Sequence, residues 1–271
     1  MLRVQTLLAL VAAIPGAAAA QSPVMAGVTA GAVKLTETRS EQALTGVVQY
    51  QPNRWLILAA LPSYLHVTDS VSSSGPGDLP VSAAAFHAFA APAAPVVAAA
   101  VTVVLPVGDA SCGLGSGETA LGLDVGIGVS PAGRLHLSAD ASRSVSGVSA
   151  QSVLSAPHAT SLRAAASYDV APRWKASASL GADVGEADSA QGLSRLASAG
   201  VSHAIAGPLA LTLDGTVGLT TASPKWALSL GLGTAFAGAA PPSLSSPLAR
   251  LRSTFVGGVS RGVGAGKPAC R

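Results

Sequence analysis

Charge is what this sequence has least of. Asp, Glu, Lys and Arg supply 11% of its 271 residues, against about 25% in an average soluble domain. Aromatic residues are scarce too, at 4%. The net charge of +3 is too small for a nucleic-acid footprint. There are two cysteines, Cys112 and Cys270, far apart and without the Cys-x-x-Cys spacing of a metal site. No Walker loop, His-Glu-x-x-His motif or paired-cysteine motif occurs. Nothing in the sequence therefore asks for a cofactor, a metal ion or nucleic acid. Long runs of Leu, Ile and Phe are missing as well, which argues against a bundle of membrane-spanning helices.

What is present is apolar but finely divided. Hydrophobic residues make up 49% of the chain, interleaved with Gly, Ser and Ala. The first twenty residues have the layout of a secretory signal. Arg3 is followed by an apolar run over 7–14, a break at Pro15-Gly16, and Ala18-Ala19-Ala20 before Gln21. The run is too short to cross a bilayer as a helix, which needs roughly 20 residues. Residues 1–20 are read as a signal peptide and 21–237 as one barrel domain.

Period-two alternation supports the barrel. Leu121, Leu123, Val125, Ile127 and Val129 point one way, with Gly122, Asp124, Gly126, Gly128 and Ser130 on the other face. The same pattern recurs over 134–142, 161–169, 174–183, 209–219 and 226–236. Segment 193–205 is less clean, because Arg195 and His203 fall on its apolar register near its ends. Earlier strands are expected near 24–34, 42–50, 53–66, 81–90 and 96–105, with 55–61 apolar on both faces. Segment 81–106 also allows a transmembrane helix. Pro92 and Pro95 in its middle, and its many valines, favour two strands joined at 91–95.

Connection lengths separate a membrane barrel from a soluble sandwich. Short turns at 51–52, 91–95, 131–133, 171–172 and 206–207 alternate with longer ones at 35–41, 68–80, 106–117, 145–158, 185–192 and 220–225. Short periplasmic turns and longer extracellular loops are the usual asymmetry of outer-membrane barrels. The fold expected is all-β: a transmembrane, antiparallel up-and-down barrel of about 12 strands, in the outer membrane with lipid around it. Lipid admits no open sheet edge, so the sheet must close. Tyr50, Trp55, Tyr168, Trp174, Trp226 and Phe236 fall near turns or strand ends, where aromatic girdles would sit.

The inward polar set comprises Asp124, Arg134, His136, Asp140, Arg163, Lys175, Asp183 and Asp214. In a lumen these either tune solute selectivity or pair with one another and plug the interior. His136, Ser138 and Asp140 invite a hydrolase reading. Their spacing along one strand, about 7 Å per step, is too wide for a direct relay, so no enzymatic activity is expected.

Leu105-Pro106-Val107-Gly108-Asp109, then Gly113-Leu114-Gly115-Ser116-Gly117-Glu118, then Leu121-Gly122-Leu123, resembles the signature of the outer-membrane transporters grouped as "meta-pathway of phenol degradation" proteins. Val107 stands where that family usually has Thr. The resemblance covers about 100–237 and implies a barrel that imports small hydrophobic or aromatic compounds. It carries over no catalytic or substrate-binding residue.

Beyond 237 the pattern stops. Residues 238–271 hold Pro241-Pro242, Arg250, Arg252, Arg261, Lys267 and Arg271, and no acid. They are read as a basic, disordered periplasmic tail, the sharper alternative being a tether or lumen plug. Residues 253–260 allow one more strand. Cys112 on the outer side and Cys270 on the periplasmic side would be too far apart for an intramolecular bridge. The function expected is passive uptake of a small solute; the alternative is a non-conducting barrel with a packed lumen. The sequence leaves the oligomeric state open.

Overall fold

The computed structural model describes residues 24–69, 71–146, 160–184 and 193–236. The expected signal at 1–20 and tail at 238–271 lie outside them. Fourteen β segments form one sheet among the described residues. In chain order they are β1 (Val24–Lys34), β2 (Ser40–Asn53), β3 (Leu56–Ala60), β4 (Ser63–Thr68), β5 (Ser72–Pro76), β6 (Leu79–Ala88) and β7 (Val96–Leu105). There follow β8 (Ala120–Ala132), β9 (Leu135–Ser146), β10 (Thr160–Ala171), β11 (Trp174–Val184), β12 (Arg195–Ala206), β13 (Leu209–Gly218) and β14 (Trp226–Gly233).

These segments compose twelve barrel strands. β3 and β4 pair with opposite halves of β2, so they are one strand interrupted at Leu61-Pro62. Pro62 has no N–H to donate, but its carbonyl accepts the Gly46 N–H at 2.8 Å and keeps the ladder whole. β5 and β6 are likewise one strand, broken at Gly77-Asp78, pairing with β4 and β3. Every pairing is antiparallel, and β1 pairs with both β2 and β14, which closes the sheet. The expected barrel of about twelve strands is therefore the observed architecture.

The first half departs from the expected boundaries. The stretch 68–80, expected as a connection, contains β5, so this hairpin stands higher than its neighbours. Segment 81–106 is two strands, β6 and β7, in full register from Leu79↔Leu105 to Ala88↔Val96. Among the described residues, no helix is long and apolar enough to cross a membrane.

One end of the barrel carries the short turns, at 54–55, 89–95, 133–134, 172–173 and 207–208. The other carries the longer connections, including 106–119. The chain enters and leaves at the short-turn end, where Val24 faces Tyr50 and Gly27 faces Gly233.

The outer face is apolar and exposed: Val125 is 57% exposed, Leu180 62% and Leu228 52%. In water such a belt would be an association surface; around a closed barrel it matches hydrocarbon. Tyr50, Trp55, Phe89, Tyr168 and Trp174 stand exposed at the short-turn end. His203 joins them, its ring 4.3 Å from that of Trp174, which places this outward histidine at an interface rather than in mid-bilayer. Phe236 departs from expectation. β14 stops at Gly233, a short 3-10 turn covers Thr234–Phe236, and the Phe236 ring lies inside against Val47, Ala59 and Leu61. Gly27 and Gly231 leave room for it, since a side chain at either would run into the ring.

Candidate functional site

The lumen has two unlike walls. On β3–β7 the inner face is mainly apolar and tightly covered, with Ile57, Leu61, Leu65 and Ala84 buried beside Ser73 and Ser82, while β2 buries Val47 together with Glu41, Thr45 and Gln49. On β8–β13 it is polar. There the sequence-predicted residues alternate with exposed apolar ones such as Leu123, Val125, Leu137, Leu162 and Leu213.

Asp124 lies on β8 opposite Ala100 and Ser142. Asp140 on β9 is directly opposite Arg163 on β10, both facing the lumen. Lys175 and Asp183 lie on β11, opposite Asp169 and Ser161 of β10. Ser161 Oγ donates to Asp183 at 2.5 Å. Asp214 on β13 lies over Gly200, where a Cβ would collide with its carboxylate. Arg134 is different: it occupies the exposed turn at 133–134, ahead of β9, and so stands at the rim.

His136 does not meet Ser138 or Asp140. It shares a 2.8 Å hydrogen bond through Nδ1 with Ser130 of β8, and one of 3.2 Å through Nε2 with Asp169 of β10. Lys175 Nζ is 3.5 Å from the other oxygen of Asp169. The result is a band Ser130–His136–Asp169–Lys175 running across four strands near the short-turn end. Its order is that of an acyl-transfer triad, but Lys175 already compensates the Asp169 carboxylate. Toward the lumen the band sets the Asp169 carboxylate beside the Lys175 ammonium.

The opposite mouth is narrowed by segment 106–119, which folds inward. Leu114 is 4% exposed and packs on Leu65 and Val67, both on the inner face of β4. Asp78, at the break between β5 and β6, holds the segment from below. Its carboxylate accepts the N–H of Gly108 at 3.0 Å, the N–H of Ser116 at 2.7 Å and the hydroxyl of Ser116 at 2.8 Å. Gly108 and Gly115 touch, and a Cβ on either would collide with the other's backbone. Gly113 and Gly117 take the left-handed conformation, with φ of 68° and 75°. Asp109 caps the short 3-10 turn Ala110–Cys112, accepting the Ser111 N–H at 2.9 Å and its hydroxyl at 2.6 Å. The hydroxyl bond in particular holds the Asp109 pKa below the ordinary carboxylate value.

Beneath this segment sits a buried ion pair. Arg39 Nη2 and Nε approach Glu41 Oε1 at 2.7 and 2.8 Å, with Glu41 3% exposed. Arg39 also reaches the Gly113 carbonyl at 3.5 Å. Cys112 packs beside the Leu114 cluster and is disulfide-bonded. This overturns the expectation that topology forbids a bridge. The sequence has one other cysteine, Cys270, which lies outside the described residues.

Arg39, Glu41, Asp78 and Asp169 escaped the sequence-predicted set. Asp169 lay on the recognised inner register of β10. Asp78, Arg39 and Glu41 lay in stretches expected to be connections, at 68–80 and 35–41.

No family model and no curated protein matches the chain. Solved structures do. An outer membrane channel from Pseudomonas putida F1 superposes with a TM-score of 0.58 at 16% identity, over 78% of this chain and 94% of that one. The NanC porin gives 0.52 at 9% identity over 76% and 98%, and the KdgM porin 0.51 at 6% over 76% and 97%. The fold is that of an outer-membrane β-barrel. At these identities the likeness speaks for architecture, and its apolar belt and closed sheet fit that membrane setting.

Proposed function

We propose that the chain is an outer-membrane channel for passive uptake of small hydrophobic or aromatic compounds, and not an enzyme. In this reading residues 1–20 are removed on export, the short turns face the periplasm, and the 106–119 segment narrows the extracellular mouth. The observation that carries it is the two-sided lumen. A mainly apolar wall on β3–β7, lined by Ile57, Ala59, Leu61, Leu65, Val67 and Ala84, faces a wall of carboxylates, serines and cations on β8–β13. Such a lining suits a compound with an apolar body and a polar edge. The membership suggested by 105–123 belongs to the same proposal, since Gly108, Asp109, Leu114 and Gly115 each have a structural task in the inward-folded segment.

A second reading is a barrel with a packed lumen. It is favoured by the tight cover over Val47 and Leu61, at 1% and 2% exposure, and by Phe236 turning inward. Planar-bilayer recording on the refolded, signal-free protein separates the two, with heat-modifiable gel mobility as the folding control. Discrete ohmic steps are expected, with permeability to small aromatic solutes in vesicles. A folded barrel that neither conducts nor passes such solutes would refute the channel.

A further inference from the structure

One stretch of the outer wall breaks the apolar belt. Lys34 and Gln42 both stand on it toward the long-connection end. Val33 and Leu35 are buried together on the inner side at 7% each, so Lys34 between them points outward. Gln42 follows the buried Glu41 and is exposed. Lys34 lies in register with Ser40 and Trp226. Gln42, two residues nearer mid-barrel, lies in register with Ala32 and His66. His66 is satisfied by Ser74, 2.6 Å from its Nδ1. The side chains of Lys34 and Gln42 make no hydrogen bond or ion pair among the described residues. The neighbouring cation Lys225 is held by Glu37.

Below these two groups the wall is hollowed. A furrow of about 470 Å³, open to the bilayer, runs over Ala30 and Ala32. Leu228 and Leu230 of β14 form one bank, and Leu44 and Tyr64 the other. Gln42 and His66 line it as well. The level of the furrow's head is fixed by the ladders. Thr68, Lys34, Ser40 and Trp226 are the last paired residues of the hairpins β4–β5, β1–β2 and β13–β14 at this end. That row is the rim, where Trp side chains meet lipid headgroups.

A cation and an unpaired amide over an alkyl-lined slot suit an amphiphile with an anionic head and an acyl chain. The outward register of β14, β1, β2 and β4 carries no acid to neutralise Lys34. A second copy of the chain fits less well. A two-fold interface sets the same patch against itself, so furrow would face furrow and Lys34 would face Lys34.

We propose that this furrow seats one phosphorylated glycolipid of the outer leaflet. Its phosphate lies against Lys34, a carbonyl or hydroxyl near the sugar accepts from the Gln42 amide, and one acyl chain lies over Ala32 and Ala30. The proposal rests on the orientation in the preceding reading, with the long connections outside, and not on conduction.

The test uses the full signal-free chain in detergent micelles, with heat-modifiable gel mobility as the folding control for every variant. Bisphosphorylated lipid A is titrated in, and the complexes are weighed by native mass spectrometry. One lipid per barrel is expected, bound at least about fivefold more tightly than its dephosphorylated counterpart. Lys34→Gln should lose about fivefold in affinity for the phosphorylated lipid and leave the dephosphorylated one unaffected. Ala30→Leu with Ala32→Leu fills the furrow with side chains of a kind the outer wall already carries, and should weaken both lipids about threefold or more through lost chain contacts. Ala164→Leu, outward on β10 in register with the exposed Leu180, should weaken neither. Equal binding of the two lipids, K34Q or the filled furrow behaving as wild type, or an equal loss in A164L would each overturn the seat. Barrel dimers that the filled furrow separates would also overturn it, by giving the furrow to a second copy. Failure of the channel reading would show separately, as silent recordings with lipid binding unchanged.

Discussion

Replacing Leu114 by alanine tests whether the mouth segment is held inward by its own packing. Leu114 is 4% exposed, with Leu65 and Val67 against it at 2% and 4%. Its terminal methyl also comes close above Gly75, whose added Cβ would meet it at 2.8 Å. Buried Leu→Ala changes cost about 2–5 kcal/mol. A rim site relaxes more readily than a closed core, so the low end, about 2 kcal/mol, is expected. The Asp78 hydrogen bonds to Gly108 and Ser116 stay in place. At 1.4 kcal/mol per decade, 2 kcal/mol raises the open population of the segment about thirtyfold. Hydrogen exchange at the Gly108 and Ser116 amides reads that opening directly, and both should quicken by about that factor while β8 and β9 amides keep their rates. Asp78→Ala should act on the same opening, and the double variant should fall short of additivity because both groups hold one segment. Unchanged exchange at Gly108 and Ser116 in L114A, or equal acceleration throughout the barrel, would refute the inward docking.

Val125→Arg places a charge at the middle of the outer face, between Ala99 and Ala141 in register. It should cost about 2–4 kcal/mol in vesicle-based unfolding titrations, and no measurable loss would show that this face does not meet hydrocarbon. Gly108→Ala sets a methyl against the Gly115 backbone, which cannot swing aside as a flexible side chain would. The expected result is a released mouth segment on an intact barrel, seen as faster Ser116 exchange with unchanged heat modifiability. Asp109 has its pKa lowered in the fold by the Ser111 hydroxyl. Its contribution to the cap is therefore complete above the unfolded pKa and is lost as the pH falls through the lower, folded one. The Ser111 amide resonance should shift with a midpoint below the ordinary aspartate range, and a midpoint at or above that range would contradict the cap.

Much of the second half of the barrel was legible because its two faces meet two different media. Lipid outside and a polar lumen inside impose period two on side-chain chemistry, so Leu121–Val129 and Leu209–Leu219 alternate visibly. The parity of short and long connections then carried the count to twelve without any knowledge of partners. The first half resisted for a physical reason. Over 55–61 the inward residues Ile57, Ala59 and Leu61 are apolar like the outward ones, so the faces offered no contrast; the strand read over 53–66 is β3–β4, while the break at Gly77-Asp78 hid that β5 continues β6.

What only the tertiary structure decided are contacts between residues far apart in the chain. Asp78 meets Gly108 and Ser116, 30 and 38 positions away. His136 faces Ser167 across the ladder and reaches Asp169, the diagonal residue on the short-turn side, rather than its strand neighbours Ser138 and Asp140. The Gly-rich run at 113–117 announced a loop but not its direction. Leu114 turns inward because β4 and β5 present Leu65, Val67 and the bare face of Gly75 at that height, and closure of the sheet alone sets that height.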